Sequence, residues 1–242
     1  MKQINQFLIT TLFVLLSCTS AFAFDCEVDG IYYNRLSSDE FEVTHGDNKY
    51  IGDVVIPETV TYRDKVFKVV QIGIQAFAGC TSLTSVSIPQ GVTTFLKSSF
   101  DGCSNLSSVT IPQSVANLGW GSFSGCSNLS SISLPQSITT IEANVFSGCS
   151  SLISIILPEG ITSIKSRAFL GCSSLSSIDL PNSLIEIDTY AFNGCANLTS
   201  ISLPQGLKII SRHSFAGCSS LTSIIIPNQV SEIGEYAFRA CI

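Results

Sequence analysis

The chain has 242 residues, a formal net charge of −6, and only 12% charged residues. This length suits one large domain or two small ones, and so sparse and acidic a charge pattern argues against a nucleic-acid-binding protein. Ten cysteines are consistent with a disulfide framework in an exported protein, unless their spacing indicates another use.

Residues 1–23 have the pattern of a secretory signal peptide. Lys2 precedes the apolar run "FLITTLFVLLSC", which is short for a membrane span, and Ala21–Ala23 match the small-x-small site cut by signal peptidase. We therefore predict cleavage after Ala23 and an exported protein, either secreted or held at the cell surface. Two alternatives stay open: an uncleaved membrane anchor, and attachment to the membrane through a lipid on Cys18.

Residues 24–75 are predicted to form an N-terminal antiparallel β cap. They hold ten acids and five bases, whereas residues 76–242 hold only eight acids and six bases, which marks a boundary near residue 75. The runs "GIYYNRL", "EFEVTHG", "DVVIPETV" and "KVFKVV" have strand character and are separated by polar turns. A charged cap of this kind would keep the first turn of a repeat array soluble.

Residues 76–242 repeat with a fixed 23-residue period. Phenylalanines recur at this interval from Phe77 to Phe238, and prolines recur from Pro89 to Pro227. The same interval separates eight cysteines, which are Cys80, Cys103, Cys126, Cys149, Cys172, Cys195, Cys218 and Cys241. Such a period predicts a solenoid in which each turn stacks on the next, and we expect about seven repeats and no C-terminal cap.

Each unit predicts a strand followed by a tight turn. Apolar and polar residues alternate along residues 83–88, as in a strand with one buried face, and Pro89 ends the strand because it lacks an N–H group. A small residue and a glycine flank Phe77, which predicts a single helical turn that ends at the glycine. The equivalent strands, from residues 83–88 to residues 221–226, are expected to form one parallel sheet.

The periodic cysteines are predicted to form a buried ladder of free thiols. Stacked strands lie about 4.8 Å apart, so equivalent cysteines would form a column among phenylalanines and leucines. Zinc is disfavoured because the chain has no C-x2-C pair and no histidine follows the period. Disulfides between neighbouring turns are within reach by distance, but parallel side chains give them poor geometry.

The repeat resembles that of the BspA-like bacterial surface proteins, a leucine-rich repeat class in which "LxxIxLPxxVxxIxxxAFxxC" recurs. The resemblance covers residues 76–242 without a break. It implies a leucine-rich-repeat solenoid with short parallel strands, and an exported, non-catalytic binding or adhesion protein for host or neighbouring-cell proteins or glycans. The alternative function is a self-associating structural module that stacks end to end through its uncapped last turn.

The sequence contains no constellation that indicates catalysis or a cofactor. After the predicted signal peptide its only histidines are His45 and His213, and neither has a recurring nucleophile or carboxylate nearby. The motifs G-x-S-x-G and H-E-x-x-H and a phosphate-binding glycine loop are absent from the sequence. We therefore predict that the protein is not an enzyme and has no cofactor or metal site.

The outward positions of the predicted strands carry mostly hydroxyl groups. They are serine or threonine in almost every repeat, as at Ser131 and Ser133, with exceptions at Ile156, Asp179 and Ile225. We interpret this hydroxyl face mainly as a soluble surface that lets strands stack closely. Recognition of a glycan, a protein or ordered water is the alternative interpretation.

Residues that vary between repeats concentrate shortly after the position of Phe95. Because Trp, Tyr and Arg dominate interface hot spots, we select six of them as candidate partner contacts. This variable strip consists of Trp120, Arg167, Tyr190, Arg212, His213 and Tyr236. Equivalent positions of a solenoid align along one edge, so we predict that the strip binds an extracellular protein or glycan.

Overall fold

The computed structural model describes residues 24–241; the predicted signal peptide and Cys18 lie outside the described residues. Within this range the chain forms short strands joined by turns, and no helix. The strands are β1 (Cys26–Val28), β2 (Ile31–Arg35), β3 (Glu40–Thr44), β4 (Gly52–Val55), β5 (Thr59–Tyr62), β6 (Lys65–Ile72), β7 (Leu83–Ser87), β8 (Thr94–Phe95), β9 (Ser108–Thr110), β10 (Asn117–Leu118), β11 (Ser131–Ser133), β12 (Thr140–Ile141), β13 (Ser154–Ile156), β14 (Ser163–Ile164), β15 (Glu186–Ile187), β16 (Ile209–Ile210) and β17 (Glu232–Ile233).

The predicted repeat strands pair in parallel, one turn on the next. Strands β4, β7 and β9 are neighbours in one sheet, and β11 pairs with β13. Further along the chain, single bridges join Ile156 to Asp179 and Ser202 to Ile225. The parallel pairing is therefore confirmed, although it is divided into short segments rather than forming one continuous sheet.

A second parallel ladder runs along the repeats and was not predicted. It pairs β6, β8 and β10 in one group, and β12, β14, β15, β16 and β17 in another. Beyond β6 its strands are two residues long, and the sequence pattern predicts no strand at their positions. Each complete turn of the solenoid therefore offers the next turn two separate segments for backbone pairing.

The N-terminal segment combines antiparallel and parallel pairing. The pairs β1–β2, β2–β3 and β5–β6 are antiparallel, but β3 and β6 are parallel with a bulge between Phe41 and Glu42. Strands β4 and β6 also pair in parallel with β7 and β8 of the first repeat. Both ladders thus extend across residue 75, and the domain boundary there and the capping role stay predictions.

The predicted single-turn helices are not found in residues 24–241, because half of the backbone donors point out of the turn. The N–H groups of Ala78 and Cys80 bond to carbonyls three residues earlier, at 3.0 Å in both cases. The N–H groups of Phe77 and Gly79 instead donate to Ser99 and Asp101 of the next repeat, both at 2.7 Å. A helix directs every donor along its own axis, so donors that alternate in this way produce successive turns.

The core contains a column of stacked phenylalanines beside the column of cysteines. Ring centroids are 4.8 Å apart between Phe77 and Phe100 and 5.6 Å apart between Phe215 and Phe238, with interplanar angles of 4° and 5°. All periodic cysteines are free, buried from Cys80 to Cys218 and half-buried at Cys241. This agrees with the predicted thiol ladder, and Cys26 lies outside the column, on β1.

Each thiol from Cys103 onward also donates a hydrogen bond to the phenylalanine carbonyl 26 residues earlier, at 3.0–3.3 Å. Burial raises the pKa of Cys103, Cys149 and Cys218 to about 12, because the thiolate would lose its hydration. The thiol therefore fills apolar space and satisfies a backbone acceptor, and it stays protonated at neutral pH.

We expect Cys149→Ser to lower the free energy of unfolding by about 1–3 kcal/mol, because it places a strongly polar hydroxyl in an apolar column. Urea denaturation at neutral pH measures this difference. The matched control is Cys241→Ser, whose half-buried site should lose less than half as much stability. Equal losses at the two sites would contradict a specific role for the buried column.

Stability should be constant up to about pH 8 and then fall as the pH rises. Unfolded thiols ionise near pH 8.5, whereas the buried thiols stay protonated until about pH 12, so between these values the unfolded chain is favoured. Each such thiol contributes up to about 1.4 kcal/mol per pH unit. Urea midpoints from pH 7 to 10 test this, and Cys149→Ser should give a shallower decline; a flat profile would refute it.

Candidate functional site

The variable strip lies on two adjacent columns in the turn before the buried phenylalanines. Four members occupy one column and have left-handed backbone angles, with φ of 58° at Arg167, 61° at Tyr190, 54° at His213 and 58° at Tyr236. The other two members, Trp120 and Arg212, precede this column by one residue. The N–H groups of Arg167, Tyr190 and His213 donate to the next turn, as from Tyr190 to the Arg212 carbonyl at 3.1 Å.

Stacked side chains connect the left-handed column. The rings of Tyr190 and His213 are parallel within 7° with centroids 4.7 Å apart, and the Tyr236 ring follows at 5.1 Å. A guanidinium lies at each end, with Arg167 Cζ 5.5 Å from the Tyr190 ring and Arg239 Cζ 5.6 Å from the Tyr236 ring. These five residues are called the aromatic stack below.

The aromatic stack is partly open to solvent. Tyr236 is 48% exposed, Tyr190 and His213 are half-buried, and Arg167 is exposed. Arg212 lies next to this group and forms an exposed ion pair with Glu235, at 3.6 Å between Nε and Oε2. Such a pair contributes little to stability, so the Arg212 guanidinium can exchange Glu235 for another anionic group at small cost.

Trp120 is not part of the aromatic stack. Its ring is 45% exposed and has the Lys97 ammonium 4.9 Å from its centroid. The repeat that contains Ala143 and Asn144 separates it from Arg167. The structure therefore brings four of the six predicted residues into one connected group, leaves Arg212 beside them, and places Trp120 in a second cluster with Lys97.

The left-handed backbone at these positions is energetically unfavourable for bulky residues. For a residue with a Cβ atom it costs roughly 1–2 kcal/mol, and only glycine adopts it freely. The same column contains Gly121 (φ 63°) and Asn144 (φ 58°), the two residue types best suited to it. Arg167, Tyr190, His213 and Tyr236 occupy the column despite this cost, and ring stacking offsets part of it.

Two contributors to these clusters were missed at the level of sequence. Lys97 and Arg239 were not selected, although each holds its cation over an aromatic ring of the strip. The available signal for Lys97 was its spacing, because it lies one 23-residue period before Trp120 and equivalent side chains follow one another along the edge of the solenoid. Arg239 follows Tyr236 by three residues within one turn, and the repeat period gave no signal for it.

The hydroxyl face has the predicted exposure. Ser131 and Ser133 flank buried Ile132, and the exceptions Ile156 and Ile225 are among the most exposed apolar side chains described. The repeat strands do not pair between Asp179, which is bridged to Ile156, and Ser202, which is bridged to Ile225. A shallow groove of about 420 Å³ lies at this place. Asp179 is the one charged residue that lines this groove.

Residues 24–241 contain no group of three or more His, Cys, Asp or Glu side chains placed to hold a metal ion. Within the same range, no helix is sufficiently long and apolar for a membrane span.

The chain is similar to solved structures of bacterial leucine-rich repeat proteins. A leucine-rich repeat protein of T. pallidum (TpLRR) is 29% identical, with a TM-score of 0.55 over 87% of this chain and 86% of that one. A leucine-rich cell surface protein of Faecalibacterium prausnitzii is 24% identical, with a TM-score of 0.64 over 93% and 75% of the two chains. A leucine-rich repeat protein of Eubacterium ventriosum is 26% identical, with a TM-score of 0.65 over 79% and 50%. None of the curated proteins is significantly similar to the chain.

The family model described as "BspA type Leucine rich repeat region" matches in six copies, over residues 47–172 and 139–242. These matches cover most of the chain and begin within the segment that contributes β4 and β6 to the two ladders. The resemblance inferred from the 23-residue unit is thus confirmed: the chain belongs to the BspA type leucine-rich repeat family.

Proposed function

We propose that the protein is exported and non-catalytic, and that it binds an extracellular protein or glycan through the aromatic stack. The observation that carries this proposal is the row of bulky residues in left-handed positions, where glycine would be less strained. The rings among them are half exposed and stacked on one another. The strained backbone therefore positions an ordered group of side chains at the solvent-accessible surface and not in the core.

The composition and order of the aromatic stack favour binding. Tyrosine and arginine side chains contribute most of the energy in many interfaces, and ring stacking restricts them before a partner arrives. From Arg167 to Arg239 the stack occupies four turns, which are three strand spacings or roughly 15 Å. A surface of this length suits a contact of several hundred Å² on each partner.

Export is supported by the signal-peptide pattern of residues 1–23 and by membership in a family of bacterial surface repeats. The uniform period of the core supports a non-catalytic role, since every turn repeats the same packing residues. Variation is concentrated at the surface, where it changes what the solenoid can contact without altering how its turns stack.

We expect the triple variant Tyr190→Ala, His213→Ala and Tyr236→Ala to bind at least about tenfold more weakly to its partner, because it removes the three rings of the aromatic stack. The measurement is biolayer interferometry of the mature protein on immobilised mucin and on purified extracellular-matrix proteins. Tyr190→Ala and Trp120→Ala tested singly separate the aromatic stack from the cluster with Lys97.

The matched control is the double variant Ser131→Ala and Ser133→Ala, which alters an exposed part of the hydroxyl face and leaves the core intact. Its binding should stay within about twofold of the wild type. The opposite result, with binding lost only in the serine variant, would transfer the site to the hydroxyl face and favour a glycan or ordered water as its ligand.

End-to-end self-association is a second candidate function, supported by the apolar face that β17 and the turn after it leave exposed among the described residues. Ile233 is 52% exposed, whereas the equivalent Ile210 of the previous turn is fully buried. Phe238 is likewise only partly buried, although Phe215 is inaccessible to solvent. A second copy that continued the stack would cover this face and pair with the edge of β17 that no strand of residues 24–241 occupies.

If this second function is correct, the mass measured by sedimentation equilibrium should rise with protein concentration, and Ile233→Glu should abolish the rise by placing a charge in the contact. Ile185→Glu is the matched control, since Ile185 is 59% exposed but belongs to an internal turn. A monomer at all concentrations, or equal effects of the two substitutions, would rule out end-to-end stacking.

A further inference from the structure

A groove in the N-terminal segment gathers three cationic side chains. It lies between the end of β2 and the β5–β6 hairpin and has a volume of about 380 Å³. Arg35, Arg63 and Lys65 line it, and all three are exposed. Arg63 and Asp64 form the hairpin turn with φ of 50° and 61°, a conformation that fixes where the Arg63 side chain leaves the backbone.

Aromatic rings hold these cations in place. Phe41 stacks on Phe67 with centroids 4.1 Å apart and an interplanar angle of 5°, so it covers one face of the Phe67 ring. Arg35 Cζ and Lys65 Nζ also lie over the Phe67 ring, 5.6 and 5.5 Å from its centroid. The guanidinium of Arg63 lies 5.1 Å from the ring of the neighbouring Tyr62.

The three charges lack a compensating ion pair. The two salt bridges found in residues 24–241 lie elsewhere, at Lys165–Glu186 and Arg212–Glu235. Asp25 is the one acid that lines the groove, and its carboxylate, which accepts the backbone N–H of Arg35 at 2.7 Å, offsets one of the three charges and leaves an excess of two positive charges. Like charges gathered on one surface repel each other, and a bound anion would relieve that repulsion.

We propose that this groove binds a single sulfate or phosphate monoester carried on a sugar, a site separate from the aromatic stack and independent of the function proposed for it. A tetrahedral oxyanion offers several oxygens in the directions that guanidinium groups recognise in pairs, and Lys65 adds a point charge. The half-buried ring of Tyr62 provides an apolar surface for the C–H face of the sugar.

The surrounding charge favours one esterified group over a polyanion. The whole chain carries a net charge of −6, so a long anionic polymer would be repelled along most of its length. A groove of about 380 Å³ lies at the lower end of the volumes typical of small-molecule sites, which agrees with one sugar unit and its ester.

The test is isothermal titration calorimetry of the whole mature protein with galactose 6-sulfate, galactose 6-phosphate and galactose, at a constant ionic strength of about 0.15 M. We expect at least one ester to bind and unmodified galactose not to bind. The ester that binds more tightly identifies whether the natural group is a sulfate or a phosphate. Binding of galactose as tight as that of both esters, or no binding of either ester, would overturn the proposal.

Arg63→Gln and Lys65→Gln should each weaken binding of the ester at least about tenfold, because each removes one charge-assisted contact. Lys68→Gln is the matched control, since Lys68 is an exposed cation on β6 that does not line the groove. Thermal unfolding of each variant verifies that the fold is intact. Equal weakening by Lys68→Gln would mean nonspecific attraction and would refute a built site.

Discussion

The structure depends on hydrogen bonding between one turn and the next. A single turn satisfies only part of its own backbone, because alternate N–H groups near each phenylalanine donate to the following repeat. An isolated turn would leave these donors without protein partners, so it gains its structure only in register with a neighbour. The two parallel ladders have the same requirement, since each of their strands consists of a few residues that pair with equivalent residues.

Because of this register, residues at the same position of successive repeats lie in one column. Buried phenylalanines become a stacked column, and buried thiols become a row of donors to backbone carbonyls. The same geometry acts on the surface, where Tyr190, His213 and Tyr236 stack although a full repeat of the chain separates each from the next. A side chain on this surface therefore has neighbours determined by the repeat period, and a substitution in one turn alters the contacts of two others.

The sequence predicts the parts of the fold that follow directly from periodicity. The strand at Leu83, the buried cysteine column and the exposed serines all agree with the structure, because each depends only on a pattern of alternating or recurring residues. The second ladder was missed because two-residue strands such as β8 leave no alternation to detect. The parallel contact between β3 and β6 could not be predicted, since its paired residues are about 28 positions apart and its bulge has no local signature.

The sequence predicts most of the side chains of the candidate site, but it does not predict which of them contact each other. Side chains of the right type could be selected from variation between repeats, whereas the division between the aromatic stack and the Trp120 cluster depends on an offset of one residue. That offset moves a side chain from the left-handed column to the adjacent column. Residue composition alone does not distinguish these two columns. The cationic groove lies outside the repeats, where no period was available to align its members.

The column of free thiols also imposes an order of events on the maturation of the chain. Eight equivalent cysteines can be joined completely in about a hundred ways, and none of these pairings occurs in the native column. In an oxidising compartment, a chain that lingers unfolded would therefore be diverted into crosslinked species that cannot stack. Under the export proposed above, burial has to outpace oxidation, and a solenoid suits this order because each turn added to a folded neighbour removes one more thiol from solvent.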